Sequence, residues 1–302
     1  MTSNQRLLIR LTTQCNSGCA HCTIADIAHH ADKAFESALQ DISKGRAAGC
    51  SELVFMRGEP TLRRDLVKLV RHARKLGYGL IQIQTNARLL AYEAYVEKLV
   101  RAGTTHFEVS FFGHNENLHD AIDRSEGAFQ QALSGLQHLV ARRVGILVTV
   151  PVIKANYLRL TDIVRTLHML GVQRIQFNFS RPVKIGPQWQ TDCLVRLTDA
   201  SPHIRAAMLL CQQLGLSAET EAVPLCHLDR EFWSGGDIDA NFGAHRVEDL
   251  HRREESRGET QRIARPWAQE CRSCSVHIRC PTTWAAYQEL FGTWEFTAIS
   301  ER

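Results

Sequence analysis

The chain lacks any run of about 18 apolar residues, the least that crosses a bilayer as a helix, so no membrane span is expected. Its opening, MTSNQRLLIRLTT, has no apolar core followed by a small-residue cleavage site. That excludes a secretory signal and predicts a cytoplasmic protein. Charge of one sign is barely in excess, with 36 basic against 32 acidic side chains and a net +4. A nucleic-acid binder would concentrate basic residues on one face, so nucleic acid is not an expected partner. No internal repeat or low-complexity segment stands out. What remains is a globular composition, 44% hydrophobic and 23% charged over 302 residues, enough for one large domain and a small one. Cysteine is plentiful, at ten residues. In a reducing compartment these are not expected to form structural disulfides. Three lie together near the start (Cys15, Cys19, Cys22) and four toward the end (Cys226, Cys271, Cys274, Cys280). Close spacing of this kind means metal or redox chemistry. Cys50, Cys193 and Cys211 stand alone and are expected to be mainly packing residues.

Short apolar runs alternate with longer amphipathic ones through the first 185 residues. Strands are predicted at Arg6–Leu11, Glu52–Met56, Gly79–Gln84, His106–Phe111, Ile146–Pro151 and Arg174–Phe179, rich in Ile, Val, Leu and Phe as buried parallel strands are. Helical patterns lie between them, each followed by glycine: Gly49, Gly77, Gly103, Gly145 and Gly171. Helices that stop at glycine before a strand make a regular βα repeat and an α/β fold, its parallel sheet open or curled into a partial barrel. RPVKIGPQWQ (181–190) breaks the pattern and reads as a loop or domain boundary. A helix at Pro202–Leu214 and a strand at Ser217–Val223 follow. Ser234–Gly243 then reads as a loop, and the charged stretch Arg246–Arg265 as a solvated face.

CNSGCAHC sets three thiols just beyond the first strand, the end of an α/β fold where chemistry is placed. A 4Fe–4S cluster normally takes four thiolates. Three leave one iron open to chelate a substrate. A zinc loop with His21 as fourth ligand is the alternative. The CxxxCxxC spacing resembles the signature of the radical S-adenosylmethionine (SAM) superfamily. ELVFMRGEPTL resembles that family's GGEP segment, QTNARLL its third-strand segment, VSFFGHNENLHDAI its fourth and VTVPVIKANYLRL its fifth. The likeness runs in order through about 180 residues. It implies a partial (β/α)6 TIM-like barrel over 1–185. It also implies a 4Fe–4S cluster on Cys15, Cys19 and Cys22 that cleaves SAM to a 5′-deoxyadenosyl radical, which takes a hydrogen atom from substrate. Glu59 would pair with the methionyl ammonium, Gly58 would allow close backbone approach, and Pro60 and Thr61 would complete the turn. Arg57 stands where the family's first glycine usually stands. His21 would pack by cluster and adenine, Ser110 and Arg124 would contact ribose, and Thr85 and Asn86 would face SAM or substrate.

CRSCSVHIRC, with Cys226 upstream in VPLCHL, resembles the auxiliary-cluster (twitch or SPASM) domains of this superfamily. No cysteine follows Cys280, so the resemblance implies one auxiliary 4Fe–4S cluster in a small cysteine-rich domain over 186–302, held by Cys226, Cys271, Cys274 and Cys280. A zinc knuckle of the same residues is the alternative, with His227 or His277 able to replace one ligand. The implied function is oxidative modification of a ribosomally made peptide by cross-link, thioether or dehydrogenation. The alternative is oxidation or rearrangement of a small metabolite such as an aminocyclitol, sugar or cofactor precursor. Expected partners are an electron donor such as flavodoxin or ferredoxin and, since Cys15 comes almost at once, a separate leader-peptide recognition protein. No catalytic acid or base can be chosen from the sequence.

Overall fold

The computed structural model describes residues 5–23, 31–185, 187–235, 245–248, 255–256 and 265–300. Six strands fall where the apolar runs predicted them: β1 (Gln5–Arg10), β2 (Cys50–Met56), β3 (Leu80–Thr85), β4 (His106–Ser110), β5 (Gly145–Val152) and β6 (Arg174–Phe179). The helices between are α1 (Phe35–Ala47), α2 (Leu66–Lys75), α3 (Glu93–Ala102), α4 (Glu116–Asp123), α5 (Ala128–Ala141) and α6 (Leu160–Met169). The six strands are parallel and lie in the sheet in chain order. Every crossover therefore steps the same way along the sheet. This is the winding of a TIM-like barrel, whereas a doubly wound sheet reverses direction.

The sheet does not close and does not stop at residue 185. The segment read as a loop is a small antiparallel hairpin of β7 (Val183–Ile185) and β8 (Gln188–Gln190). Next come α7 (Leu197–Gln213) and β9 (Ser217–Glu221), which pairs in parallel with β6. α7 begins five residues before the predicted start and carries Pro202 inside it, with the Leu197 carbonyl accepting from Ser201 Oγ. At the other edge β10 (His245–Glu248) lies parallel to β1 and pairs antiparallel with β11 (Glu255–Ser256). Much of the stretch read as glycine loop and solvated charge run lies outside the described residues.

Side chains alternate across the sheet. Ile81 and Ile83, Phe107 and Val109, and Ile175 and Phe177 are buried against the helices. Their neighbours on the inner face are polar: Gln82, Gln84, Glu108 and Gln176. Gln82 and Gln84 Nε2 both donate to Glu108 Oε2, at 2.6 and 2.9 Å. A continuously apolar strand would be buried on both faces; these line a polar interior instead. Gly49, Gly77, Gly103 and Gly171 take left-handed φ after their helices as expected. After α5 that conformation belongs to Arg143 (φ 52°), and Gly145 answers a different need. A Cβ on Gly145 would sit 2.1 Å from the His106 ring.

The C-terminal segment is fastened to the sheet-bearing part by a buried carboxylate. Glu295 Oε1 accepts from the Thr198 amide (3.0 Å) and hydroxyl (2.7 Å) at the start of α7, where Arg196 provides no side-chain cap. Tyr287, on α8 (Ala285–Phe291), donates to Glu295 Oε2 and accepts from the Leu197 amide at 2.8 Å. Arg196 Nη2 lies 3.1 Å from Glu295 Oε2 and stacks on Phe291 and Trp294. A carboxylate at a helix N-terminus answers orphan amides and the helix dipole together. Burial alone would raise the Glu295 pKa, but the hydrogen bonds from Tyr287 and Thr198, and then Arg196, outweigh it and hold the carboxyl below its ordinary value. A depressed carboxyl pKa stabilises the fold above the unfolded-state pKa and loses that contribution as pH falls through the folded value. Glu295→Gln is therefore expected to lower stability by about 1–3 kcal/mol near pH 7. The gap to wild type should shrink as pH drops below about 4.3. Urea unfolding across pH checks this, and a gap independent of pH would refute it.

Candidate functional site

The loop that leaves β1 carries Cys15, Cys19 and Cys22 and has almost no regular structure of its own. Its backbone is held from outside. Gly18 N donates to Asp123 O (2.9 Å) and Ala20 N to Ile122 O (3.1 Å), at the end of α4. Asn86, just past β3, gives Nδ2 to Asn16 Oδ1 (2.8 Å) and Ser17 Oγ (2.9 Å), and that nitrogen is 3.9 Å from Cys15 Sγ. Arg88 donates to the Asn16 carbonyl and to Gln131 Oε1 (2.7 Å) and lies 3.6 Å from the buried carboxylate of Asp123. Each group lies at or beyond the carboxyl end of a strand, so the sheet's own geometry gathers them.

The RGEP turn after β2 closes on the same loop. Glu59 N donates to Gln14 O at 2.8 Å. Gly58 has φ 55°, and a Cβ there would meet Gln14 O at 2.5 Å and Thr12 O at 2.8 Å. Arg57, in the place of the family's usual glycine, keeps a glycine-like backbone at φ 72°. The Glu59 side chain is 1% exposed. Oε1 accepts from Thr61 N (3.0 Å), Thr61 Oγ1 and Thr85 Oγ1 (2.8 Å), and among the described residues Oε2 accepts from Asn86 N alone (2.7 Å). A carboxylate oxygen offers about two acceptor directions, so Oε1 is saturated and Oε2 keeps capacity for one more donor. Burial raises the Glu59 pKa against these hydrogen bonds. A cation placed at Oε2 would favour the ionised form.

Cys15 and Cys19 share one electrostatic environment. Burial first, then the Glu59, Cys22 and Asp123 charges, raise the Cys15 thiol; burial first, then Asp123, Cys15 and Cys22, raise Cys19. Thiols crowded with one another and with two carboxylates ionise only beside compensating positive charge, which bound metal supplies. Among the described residues no three Cys, His, Asp or Glu side chains are already closed around a single ion. His21 packs edge-on against Phe112 at 5.0 Å, and burial lowers its pKa to about 4, keeping the ring neutral. Arg124 caps α4 in left-handed conformation (φ 60°), and a Cβ added to Gly18 would lie 3.5 Å from the Arg124 Cβ. Ser110 ends β4 in register with Thr149 of β5, on the inner face.

The structure thus brings Cys15, Cys19, Cys22, His21, Gly58, Glu59, Thr61, Asn86 and Arg124 to one end of the sheet, with Ser110 at a strand terminus there. Sequence reasoning missed Asn16, Ser17, Arg88 and Asp123, which hold the cysteine loop. The polar residues that separate the cysteines of CNSGCAHC were the available signal. Cys193 was expected to be mainly a packing residue. It packs with Cys19 beside Phe112, Ile122 and Ile153. Cys50 begins β2 and is fully buried, packing in the core as expected.

Cys226, Cys271, Cys274 and Cys280 line one small cavity with Pro224, His277 and Phe296 among its walls. Burial, then repulsion from Cys280 and Cys271, pushes Cys226 up to about 11, against a hydrogen bond from the Thr297 backbone. Two backbone amides point at sulfur: Leu225 N to Cys280 Sγ and Ile299 N to Cys274 Sγ, both 3.4 Å. Amide donors on cysteine sulfur are a common surrounding of iron–sulfur clusters, so this donor set fits such a group. His227 does not join them. Its ring is spanned between Ser201 Oγ (2.8 Å) and Glu295 O (2.9 Å).

The family model for the radical SAM superfamily matches residues 9–171. The chain belongs to the radical SAM superfamily. A curated relative within reach is the AdoMet-dependent heme synthase of Methanosarcina barkeri, 29% identical over 191 residues, which are 62% of this chain and 54% of the relative. The chain thus spans about half the length of that relative. In fold, this radical SAM chain is similar to Streptococcus suis SuiB bound to S-adenosylmethionine, at TM-score 0.67 and 14% identity, covering 98% of this chain and 76% of SuiB. It is also similar to anSMEcpe with bound AdoMet, at TM-score 0.59 and 15% identity, covering 71% of this chain and 64% of that one. The superfamily supplies a 4Fe–4S cluster and SAM.

Gly58 is the tightest backbone joint of this radical SAM site, and its replacement tests the joint. Gly58→Ala is expected to cost about 1–3 kcal/mol, from left-handed φ and collision with backbone together. Gly49→Ala has left-handed φ but nothing within 4 Å of the new Cβ, and should cost about 1 kcal/mol. Thermal unfolding compares them; equal losses would show that the contact with Gln14 and Thr12 bears no load.

Proposed function

We propose that Cys15, Cys19 and Cys22 hold the SAM-binding cluster and that Glu59 Oε2 receives the methionyl ammonium. The observation that carries this is the shared network: one buried carboxylate, with one oxygen saturated and the other open, tied through Asn86 to the cysteine loop. When bound, the cluster supplies the electron that splits SAM and so releases the radical that takes a substrate hydrogen. The chain's own residues do the positioning. Thr61, Thr85 and Asn86 fix the carboxylate, Arg88 and Asp123 fix the loop, and His21 with Phe112 forms an uncharged wall beside it. Ser110 and Arg124 serve the ribose in this reading.

Within residues 186–302, expected as the auxiliary domain, Cys226, Cys271, Cys274 and Cys280 hold a second 4Fe–4S cluster. Their common cavity and the two amide-to-sulfur contacts support the reading. Held by these four cysteines, such a group would supply a one-electron acceptor near the site, and the net reaction would be an oxidation. The substrate is a ribosomally made peptide. Fold neighbours bound to peptides support it: SuiB with precursor peptide SuiA and anSMEcpe with Kp18Cys peptide. The second reading, a small cofactor precursor, is favoured by the higher identity to a heme synthase.

Anaerobic reconstitution should give about eight irons per chain, and about four in a Cys15→Ala, Cys19→Ala, Cys22→Ala variant. Glu59→Gln should keep the full iron count but bind SAM about tenfold more weakly, since a charge-assisted bond becomes neutral. Unchanged SAM affinity in that variant would remove Glu59 from the proposed role. Zinc in place of the second four irons would make the C-terminal cysteines structural.

A further inference from the structure

The hairpin of β7 and β8 has both of its legs rooted at the carboxyl end of β5. Before it, Ser180 N donates to Val152 O at 3.4 Å; after it, Lys154 N donates to Cys193 O at 2.8 Å. Cys193 packs against the small cluster of Phe112, Ile122 and Ile153, and so does Cys19 of the cysteine loop. The hairpin therefore rises at the end of the sheet that carries the candidate site. Its strands pair Val183 with Gln190, Lys184 with Trp189 and Ile185 with Gln188. Only two residues separate Ile185 from Gln188 in the sequence. In so short a hairpin the pair beside the connection exchanges both hydrogen bonds, and the next pair turns its N–H and C=O groups outward. That outward pair is Lys184 and Trp189. Side chains approach closely in such a pair, and Lys184 Nζ lies 4.3 Å from the centre of the Trp189 ring.

The two edges of the hairpin differ. Natural edge strands are guarded by lysine and proline, and β7 has both: Pro182 precedes it, and Lys184 stands at its middle, 3.6 Å from Glu289 of α8. β8 is Gln188, Trp189 and Gln190, without charge, proline or glycine. Among the described residues no strand but β7 pairs with it. A two-stranded ribbon is marginal by itself and gains from a third strand. We infer that β8 takes up an extended peptide as that third strand and so holds the substrate beside the cysteine loop. The inference rests on the reading of the substrate as a peptide and adds the means by which it is held. The edge itself specifies the chemistry of its occupant. Outward N–H and C=O groups recur at every second residue, and an extended backbone answers them at that spacing. A sugar or a cofactor precursor has no such repeat. Cys193 lies four positions after Trp189, so a strand paired with β8 runs between the hairpin tip and the cysteine loop.

The test uses the reconstituted full chain and a fluorescein-tagged octapeptide of alternating threonine and valine, with binding read by fluorescence anisotropy. Trp189→Pro removes the outward amide of β8 without touching its bonds to β7, and should weaken binding about tenfold. Trp189→Thr keeps that amide and should bind within about twofold of wild type. Lys184→Pro removes the matching amide of β7 and should also bind as wild type, which separates the edge from damage to the hairpin as a whole. The same octapeptide N-methylated at every amide should not bind. Iron content should match wild type in all three variants. A wild-type chain that binds neither octapeptide would sink the peptide reading on which this rests. A chain that binds the unmethylated one equally well after Trp189→Pro, or loses it equally after Lys184→Pro, would overturn the β8 edge alone. So would a chain that sediments as a dimer and becomes a monomer with Trp189→Pro, since the edge would then belong to a second copy.

Discussion

Glu59 has to be held still in a place where water cannot hold it. Its carboxylate is almost wholly buried, and its four donors come from two consecutive βα turns. A buried anion without such donors would be too costly to keep. The donors in turn require the ends of β2 and β3 to lie side by side, which their parallel register provides. The same turn donates its Glu59 amide to Gln14 and has no room for a side chain at Gly58. Sheet register, carboxylate and cysteine loop thus form one mechanical unit.

The cysteine loop could not be so placed alone. It is short, irregular and rich in Asn, Ser and Gly, and such segments make few hydrogen bonds within themselves. It borrows them from Asn86, Arg88 and the last turn of α4. Asp123 deepens the arrangement. It is fully buried near Arg88, and its charge acts on both Cys15 and Cys19. A loop assembled from three crossovers cannot form before the sheet does, so this site depends on the global fold.

This explains what was legible in the sequence and what was not. All six barrel strands could be read, because Ile, Val, Leu and Phe runs spaced by amphipathic helices have few other solutions. The two groups of cysteines stood out by their spacing. The supports were not: Arg88 and Asp123 lie 35 residues apart in an unremarkable helix end and turn, and only the crossovers join them. The hairpin at 183–190 was hidden by Pro182, Gly186 and Pro187, which signal a turn but not the strands beside it. The early start of α7 was hidden by Pro202, a helix-breaking residue in an isolated segment. Glu295, 97 residues further along the chain, stabilises that start from outside, and no local reading of 197–214 could contain it.

The two cysteine groups differ in what surrounds their sulfur, and the proposed division of labour follows from that difference. Near the first lie two carboxylates, Glu59 and Asp123. Negative neighbours disfavour adding an electron, so a centre there is a strong reductant once charged. At the second group the sulfurs line a mostly apolar cavity and two backbone amides are directed at them. Amide donors on sulfur offset the charge an added electron brings, and so favour the reduced state. Given clusters at both places, the surroundings bias the first toward giving an electron up and the second toward accepting one. That is the order an oxidation needs, in which a substrate is first converted to a radical and then relieved of a further electron.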